Sequence, residues 1–533
     1  MAKYLELLRS VLGQNDARAA HREEHKRLAV ASAIPTVAPA FRAAMLEAQK
    51  GGVRLGHAVA DPTLGIYLRL QDLLVHALIV GGSGSGKTRL AALVFVFAAN
   101  LIARAPQTVG VQLADFKGEF APLAVDLLGD VLDRLSKSHA RALVDLVVTF
   151  DPFSERSLVP LQLLAREPGI EPELQAAELT SLIDHVGGAP LGIKQDSITY
   201  GCLLLGILEG WNLIDVRHLL SDLDTLESRA KNSGSREVKD ILGNATKLPR
   251  ASLDGLRARL DRLLRLKSTR LALSAKTSAN FSRILNHHLL LANLGAYPQG
   301  CRDLGKFWSQ LFTLRVGRAI FQRTKQDAAR PVLLLCEEFQ EGLLSGGADV
   351  ADEFERQLVL SRFKNVHWWG ITQSLALAAK VSSSLPDVLA TNVVLTCIGR
   401  CSPKDAQQTG HLLPVTGRRR RPASAPWETP ARSPFLSTSE ERELLLHQLP
   451  NLENRFFYLW QRGTERRAEL FRTESIEVND SAFRSVKVLE RLRDGVLAIP
   501  VKELEAAAQD DKDDVFEPVQ VGLKGPTRRP RGA

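Results

Sequence analysis

The sequence predicts an α/β fold with a mainly parallel sheet and an inserted all-α domain. From residue 76 onward, short apolar runs rich in Val, Ile and Leu alternate with segments of helical periodicity. This alternation is typical of parallel strands covered by helices on both faces. Between residues 165 and 280 strand-like runs are almost missing and leucines recur at helical spacing, which predicts the insertion. The seven predicted strands are 77–80, 109–115, 146–151, 288–294, 332–337, 367–372 and 392–399.

These patterns divide the 533 residues into five segments. A helical, polar pattern over 1–65 precedes the α/β domain. The two parts of that domain, 66–164 and 281–480, enclose the insertion at 165–280. The final segment is 481–533; its end, residues 510–533, changes from acidic to basic, and the segment is expected to be partly disordered.

The composition is that of a folded protein with a mild preference for polyanions. Hydrophobic residues make up 45% of the chain, and the formal net charge is +9. The five cysteines form no CxxC pair, which suits a reducing compartment. We find neither a signal peptide nor the roughly 18 uncharged apolar residues of a membrane span. A cytoplasmic protein is therefore expected, one that reaches the inner membrane only through partners.

A phosphate-binding loop follows the first predicted strand. The segment GGSGSGKT, Gly81–Thr88, fits the pattern G-x-x-x-x-G-K-T and leads into an apolar helical stretch. In such a loop successive backbone N–H groups surround the phosphates, Lys87 reaches the β- and γ-phosphates, and the Thr88 hydroxyl binds Mg²⁺. The predicted nucleotide-binding residues are Gly81, Gly82, Ser83, Gly84, Ser85, Gly86, Lys87, Thr88 and Arg89.

A pair of carboxylates, Glu337 and Glu338, ends the predicted strand VLLLCE. A P-loop domain needs a second strand that ends in acidic residues, which hold the Mg²⁺ shell and orient the attacking water. We therefore expect Glu337 near the metal and Glu338 beside the water. The alternative is a strand that simply ends at the protein surface, where acidic residues are common.

Five segments, taken in order, resemble the motor domain of the conjugative coupling ATPases. They are HALIVGGSGSGKT, LADFKGEF, VVTFDPFS, LLLCEEF and GITQSLAL, and the likeness runs from about residue 54 to 475. The family comprises the TraG/TraD-type proteins of type IV secretion, within the wider FtsK/HerA group of DNA pumps. The resemblance implies a RecA-like P-loop NTPase fold, ATP and Mg²⁺ as cofactors, and a hexameric ring. It also implies DNA as a partner, with a relaxase or channel proteins as further partners.

The resemblance also implies roles for single residues. Glu338 corresponds to the catalytic carboxylate, and Gln373 to the polar residue that senses the γ-phosphate. Arg362 occupies the place of an arginine that reaches the nucleotide of a neighbouring subunit; its alternative is a helix-end arginine in solvent. The D-x-K-G-E signature, Asp115 to Glu119, is expected near the nucleotide or a subunit boundary without an assigned role.

Two features depart from the family pattern. The family usually has Asp-Glu where this chain has Glu337-Glu338, and the extra methylene displaces the first carboxylate by about 1.5 Å, which puts the metal geometry in question. Most coupling proteins also begin with membrane helices, and no such helix is predicted here. The chain is thus expected to be a soluble variant, to reach the membrane through a partner, or to serve a pump that is not part of a secretion channel.

Two basic segments are candidates for contact with nucleic acid. Nine Lys or Arg lie between Lys247 and Lys276, with Arg259, Arg262 and Arg265 along one side of a predicted helix. A second cluster, Arg418–Arg421, lies in a Pro-rich loop. A solvated helix face and a solvated loop are the respective alternatives. Neither segment interleaves aromatic residues, so binding with little sequence preference is predicted.

The sequence therefore favours an ATP-driven DNA translocase that delivers DNA, or a relaxase–DNA complex, to a secretion channel. Two alternatives are open. One is an ATP-binding adaptor that recruits protein substrates. The other is a soluble pump of the FtsK/HerA type that acts in DNA partition or phage defence.

Overall fold

The structure is a computed structural model that describes residues 37, 39–184, 186, 191–344, 347–414, 437–463, 468–476 and 486–514. The described residues form two compact units. The first contains the residues up to Pro152, together with Thr180–Gly192 and Asn280–Leu497. The second contains Phe153–Leu179, Ile193–Ala279 and the residues from Ala498 onward.

An eleven-stranded mixed sheet forms the centre of the first unit, in the order β2-β1-β12-β11-β10-β3-β9-β8-β4-β7-β5. The seven strands from β10 to β5 are parallel, and β11, β12, β1 and β2 extend the sheet antiparallel from β10. In chain order the strands of both units are β1 (Val53–Ala58), β2 (Gly65–Leu68), β3 (Ala77–Val80), β4 (Gly110–Asp115), β5 (Val147–Phe150), β6 (Ser157–Leu158), β7 (Leu289–Asn293), β8 (Val332–Glu337), β9 (Val366–Thr372), β10 (Leu395–Ile398), β11 (Phe456–Gln461), β12 (Glu469–Thr473) and β13 (Ile499–Pro500).

The seven predicted strands are the seven parallel strands of this sheet. Strands β3 and β8 match the prediction to the residue, and every residue of both is buried. The strand β9 lies between the P-loop strand β3 and the acidic strand β8. The predicted α/β fold with a parallel-rich sheet is confirmed.

The antiparallel strands were not predicted. Strand β1 lies at Val53–Ala58, inside the segment 1–65 that was expected to be helical, and that expectation is wrong for these residues. Its residues do not alternate regularly between exposed and buried positions. Arg54 faces solvent, but the next two residues, Leu55 and Gly56, are both buried. Such a short, irregular pattern does not distinguish a strand from a loop.

Helices cover the sheet and join its strands. The described chain also has short 3₁₀ turns, among them Arg362–Lys364. In chain order the α-helices are α1 (Pro39–Ala48), α2 (Leu70–Leu73), α3 (Lys87–Arg104), α4 (Phe120–Asp133), α5 (Lys137–Val144), α6 (Pro172–Asp184), α7 (Ile193–Glu209), α8 (Leu213–Leu219), α9 (Leu223–Asn232), α10 (Arg236–Leu242), α11 (Arg250–Leu263), α12 (Lys267–Leu273), α13 (Phe281–His287), α14 (Arg302–Gln322), α15 (Phe339–Leu344), α16 (Gly347–Ser361), α17 (Leu375–Val381), α18 (Leu385–Asn392), α19 (Pro403–Thr409), α20 (Thr438–Gln448), α21 (Val486–Asp494) and α22 (Val501–Asp514).

The helix α3, which follows the phosphate-binding loop, is one of the most buried helices. Ten of its 18 residues are buried, including Leu90, Phe95 and Ile102, and they pack in the main hydrophobic core. This burial explains why an almost uncharged stretch occurs in the sequence. Within the described residues, no helix has the length and apolar character that crossing a membrane requires.

The second unit is mainly helical, with a two-stranded sheet of β6 and β13. Helices α7 to α12 lie in the segment 165–280 that was predicted to be helical. On α11 the leucines Leu256, Leu260 and Leu263 are fully buried, whereas Arg262 and, just beyond the helix, Arg265 are exposed. Arg259 is half-buried. In the tail, residues 501–514 form α22, and the basic loop 418–421 lies outside the described residues.

Candidate nucleotide-binding site

The carboxyl ends of four parallel strands bring the predicted site together. The register aligns Asp115 of β4 with Glu337 of β8, and Glu337 with Ile371 of β9. It also aligns Val80, the last residue of β3, with Thr372. Because parallel strands end at the same edge of the sheet, the loop after β3, the two glutamates and Gln373 all lie at this edge.

The loop Gly81–Gly86 has the conformation of an anion-binding loop. Gly84 and Gly86 have φ angles of 72° and 101°, which favour glycine. The N–H groups of Gly81, Gly82 and Ser85 donate to carbonyl oxygens. Among the described residues, no acceptor is found for the N–H groups of Gly84, Gly86, Lys87 and Thr88. These N–H groups at the start of α3 are therefore available to phosphate oxygens.

Thr88 and Glu337 form the part of the site that suits a metal ion. The Thr88 hydroxyl donates to Oε1 of Glu337 at 2.8 Å. The other oxygen, Oε2 of Glu337, is buried and has no hydrogen-bond partner. A hydroxyl and an unpaired carboxylate oxygen beside a phosphate site are ligands that Mg²⁺ accepts. The longer side chain of Glu337, compared with the aspartate usual in the family, thus still reaches the P-loop threonine.

Lys87 and the two glutamates form a buried cluster of charges. The side chains of Lys87, Glu337 and Glu338 are 6%, 1% and 2% exposed. The Lys87 Nζ atom donates to the carbonyl oxygen of Gly82 at 3.3 Å and lies 3.9 Å from Oε1 of Glu338. Burial lowers the pKa of Lys87, and the two carboxylates oppose that effect. Because both glutamates are buried, they are not simply the end of a strand at the protein surface.

The electrostatics of the cluster favour an added cation. Burial raises the pKa of Glu337 to about 8, and the neighbouring Glu338 and Asp115 add to the rise. Two buried carboxylates and one ammonium carry an excess negative charge when all three are ionised. Burying an unbalanced charge is costly unless a counter-ion is present. A divalent cation at the unpaired oxygen of Glu337 would remove this cost.

Glu338 is held in an unusual backbone conformation that fixes its carboxylate. Its φ angle is +51°, and its N–H donates to the carbonyl oxygen of Ile371 at 2.8 Å. Its Oε2 atom accepts from the side chain of Gln340 at 2.5 Å and from the backbone N–H of Gln373 at 3.2 Å. Its Oε1 atom is buried without a hydrogen bond. Non-glycine residues in this conformation are rare and concentrate at functional sites.

The structure gives Asp115 a definite role. Its Oδ1 accepts from the N–H groups of Lys117 and Gly118, and its Oδ2 from those of Phe120 and Ala121, at 2.7–3.0 Å. The carboxylate therefore organises the DFKGEF turn and satisfies the first two N–H groups of α4. Burial raises the pKa of Asp115, whereas the four N–H groups lower it.

We predict that Asp115→Ala lowers the free energy of unfolding by about 3 kcal/mol, because it leaves four donors without their charged acceptor. Urea denaturation measures this change. Asp387→Ala, which removes an exposed aspartate of the first unit, serves as the control and should change the value by about 0.5 kcal/mol or less. Equal effects of the two substitutions would contradict the role assigned to Asp115.

The remaining signature residues lie beside the charge cluster. Lys117 and Glu119 form an ion pair of 2.9 Å that is largely exposed. The pKa of Lys117 is raised overall by Glu119, Glu338 and Glu337, against the opposing effect of burial. Lys117 is thus a second cation close enough to interact with the two glutamates of the site.

Two predicted site residues, Arg89 and Arg362, make no side-chain hydrogen bond or ion pair with this cluster among the described residues. Arg89 donates to the carbonyl oxygen of Ile476 at 2.8 Å. The exposed Arg362 lies just before β9, whereas Gln373 lies just after it, so seven residues and about 20 Å of strand separate them. Arg362 instead lies near His76 and His367 at the opposite edge, where its charge adds to the burial that lowers the pKa of both histidines to about 4.

Two arginines near the loop were not predicted. The carbonyl oxygen of Arg400, just after β10, accepts from the N–H of Gly82 at 2.5 Å. The N–H of Arg455, just before β11, donates to the carbonyl oxygen of Ser85 at 2.8 Å. Arg400 could have been found from its position at the end of a predicted parallel strand, but the sequence has no signal for Arg455.

Comparison with known proteins finds similar structures but no match to a protein-family model or to a curated protein. The plasmid coupling protein TrwB, in complex with a GTP analogue, is 14% identical, with a TM-score of 0.47; the match covers 83% of this chain and 94% of TrwB. VirB4 of Thermoanaerobacter pseudethanolicus is 12% identical, with a TM-score of 0.48, over 80% of this chain and 97% of VirB4. The cytoplasmic domain of the type VII secretion ATPase EccC of Thermomonospora curvata is 12% identical, with a TM-score of 0.28, over 85% of this chain and 30% of that domain. A conjugative coupling protein, the class of protein that the sequence motifs resemble, is thus among the structures similar to this chain.

Proposed function

We propose that this protein is a Mg²⁺-dependent ATPase that moves DNA. The observation that carries the proposal is the convergence of Lys87, Thr88, Glu337 and Glu338 at one sheet edge, with two buried carboxylate oxygens that accept no hydrogen bond. A protein that only binds nucleotide does not need a second buried carboxylate beside the P-loop lysine. The arrangement therefore favours hydrolysis over binding alone.

Each residue of the cluster has a distinct task in this reaction. The free N–H groups at the start of α3 and the Lys87 ammonium hold the phosphates and balance their charge. Thr88 and Glu337 would hold Mg²⁺, which when bound would supply electrostatic stabilisation of the phosphoryl oxygens. Glu338 orients the attacking water through Oε1, while Gln340 and the backbone of Gln373 fix its other oxygen. The side chain of Gln373 senses the γ-phosphate.

Self-association into a ring, with six subunits as the expected number, accounts for the position of Arg362. This arginine is exposed and lies at the sheet edge opposite to the P-loop of its own chain. It is thus too far from its own P-loop to act there, and in the ring it would reach the nucleotide of a neighbouring copy and neutralise charge in the transition state.

We predict that Arg362→Ala lowers the ATP turnover number about 100-fold or more while the binding of ATP is retained. Mixing this variant with Lys87→Ala chains should restore part of the activity. The mixed ring contains sites with an intact P-loop that face an intact Arg362 of a neighbour. If mixing restores nothing although the chains associate, the in-trans role of Arg362 is wrong.

The DNA-translocating part of the proposal is supported by the basic face of the second unit and by the net charge of +9. Arg262 and Arg265 are exposed beside the buried leucines of α11, so they are positioned to contact phosphates without reading bases. In this proposal the protein is a coupling protein that delivers DNA, or a relaxase–DNA complex, to a type IV secretion channel.

This DNA-binding role is tested with Arg262→Ala combined with Arg265→Ala. We predict that the double variant binds DNA of any sequence more weakly and that the salt dependence of its affinity falls by about one unit of slope per lost contact. The control is Arg236→Ala with Lys239→Ala, two exposed cations of α10 in the same unit. An equal loss of DNA affinity in both double variants would mean that affinity depends on the total charge of the protein and not on contacts made by Arg262 and Arg265.

The second candidate function is that of an ATP-binding adaptor that recruits protein substrates. In that case turnover would respond to a protein substrate and not to DNA. A pump of the FtsK/HerA type in DNA partition or phage defence shares the predicted chemistry, and differs only in what delivers the DNA.

A further inference from the structure

We infer that Arg455 is a positioning residue of the nucleotide site, which holds the Ser85–Gly86 peptide in the orientation that binds phosphate. The inference rests on the proposed binding of nucleotide by the loop Gly81–Thr88. No sequence motif includes Arg455, which precedes β11, more than 360 residues after the loop.

The hydrogen bond from Arg455 to the loop has a geometric consequence. The N–H of Arg455 donates to the carbonyl oxygen of Ser85 at 2.8 Å. In a trans peptide the carbonyl oxygen and the following N–H point to opposite sides. A Ser85 carbonyl that is fixed toward Arg455 therefore directs the N–H of Gly86 away from it, toward the inner side of the loop. That N–H is one of those for which no acceptor is found among the described residues.

Arg455 makes this contact in a strained conformation. Its φ angle is +75°, a region that non-glycine residues rarely adopt. Two non-glycine residues near the loop have positive φ angles. Glu338 lies beside Lys87 of the nucleotide site, and Arg455 contacts Ser85 of the loop. Strain of this kind persists only where the surrounding structure imposes it.

The β11–β12 hairpin supplies that constraint. The carbonyl oxygen of Arg455 accepts from the N–H of Thr473 at 2.8 Å, and the guanidinium Nη2 donates back to the Thr473 carbonyl oxygen at 2.9 Å. Thr473 is itself bound to β1, because its hydroxyl donates to the carbonyl oxygen of Leu55 at 2.9 Å. The loop is thus tied through Arg455 to the antiparallel part of the sheet.

The side chain of Arg455 also closes the space over the loop. A Cβ atom placed on Gly86 would lie 3.3 Å from Cγ of Arg455. The aliphatic part of the arginine therefore packs against the glycine that directly precedes α3. Movement of the Ser85–Gly86 peptide away from its observed orientation would require Arg455 to move as well.

The affinity for a fluorescent ADP analogue with Mg²⁺ tests this inference in Arg455→Ala, Arg455→Gly and Arg455→Lys. We expect Arg455→Ala to weaken binding about tenfold or more, since alanine loses the guanidinium contact and disfavours the positive φ angle. Arg455→Gly should bind more tightly than Arg455→Ala, because glycine adopts this φ angle without strain. Arg455→Lys should bind the analogue more tightly than Arg455→Ala and almost as tightly as the wild type, because the aliphatic part of lysine still packs on Gly86.

The control is Arg472→Ala, which removes an exposed arginine of the same hairpin and should bind with the affinity of the wild-type protein. Urea denaturation without nucleotide corrects each affinity for the folded fraction. The inference is overturned if Arg455→Ala binds as tightly as the wild type, or if Arg455→Gly is the weaker of the two. Failure of the wild-type protein to bind the analogue would instead overturn the proposed function, and the inference with it.

Discussion

Glu338→Gln should abolish ATP turnover while leaving ATP binding close to that of the wild type. Glutamine keeps the size of the side chain but lacks the negative charge that orients and polarises the attacking water. Loss of a positioned carboxylate of this kind lowers a rate constant about 100-fold to 10,000-fold. Binding is retained because Glu338 is not itself a phosphate ligand: its carboxylate lies 3.9 Å from Lys87 and accepts from the backbone N–H of Gln373. Steady-state phosphate release and the affinity for an ATP analogue measure the two effects separately.

The matched control for this substitution is Glu341→Gln, which changes an exposed carboxylate of α15 only three residues away. Its turnover should stay within about twofold of the wild type, as expected for an exposed position. If Glu338→Gln retains turnover, or loses ATP binding to the same extent as turnover, Glu338 is not the residue that activates water.

Lys87→Ala is predicted to abolish the binding of ATP and ADP. The ammonium is almost fully buried, and among the described residues it donates one hydrogen bond, a 3.3 Å contact with the carbonyl oxygen of Gly82. Burial of a cation is costly, and phosphate oxygens would supply the strong charge-assisted hydrogen bonds that offset this cost. Loss of these bonds and of the positive charge should weaken nucleotide binding about 100-fold or more.

Isothermal titration with MgADP measures this loss directly. Lys137→Ala, which removes an exposed lysine from α5, is the control and should bind like the wild type. Binding by Lys87→Ala at wild-type affinity would show that the loop Gly81–Thr88 is not the nucleotide site.

The parallel part of the fold could be predicted because its strands are buried on both faces. Every residue of Val332–Glu337 is buried, so the strand forms a continuous apolar run that ends in a conspicuous pair of acids. The position of the site followed from the same feature. Once Gly81–Thr88 and Glu337-Glu338 were assigned to the ends of parallel strands, they had to lie at one edge of the sheet.

The antiparallel strands could not be predicted, because they are only partly buried. Strand β11 has only three fully buried residues, Phe457, Tyr458 and Leu459, and β1 has an irregular register with a bulge near Arg54. Their position is set by pairing with distant strands and not by local pattern. The role of Arg455 depends on this pairing, so no local sequence signal could reveal it.

The role of Asp115 shows a different limit of sequence analysis. The D-x-K-G-E pattern was recognisable, yet the acidic residue acts on its own backbone, as an acceptor for four N–H groups. From the resemblance, the signature was expected near the nucleotide or a subunit boundary, without an assigned role. The structure instead assigns the aspartate to the turn and leaves Lys117 as the signature residue that lies beside the charge cluster.

The measurement that tests the central claim most directly is ATP hydrolysis by the wild-type protein with Mg²⁺, without and with DNA of unrelated sequences. The account predicts Mg²⁺-dependent turnover that rises when single- or double-stranded DNA is added, to a similar extent for each sequence. Turnover that ignores DNA but rises with a protein substrate would favour the adaptor. The absence of any ATP hydrolysis, by folded protein that binds ATP and is supplied with Mg²⁺ and DNA, would contradict the proposed motor.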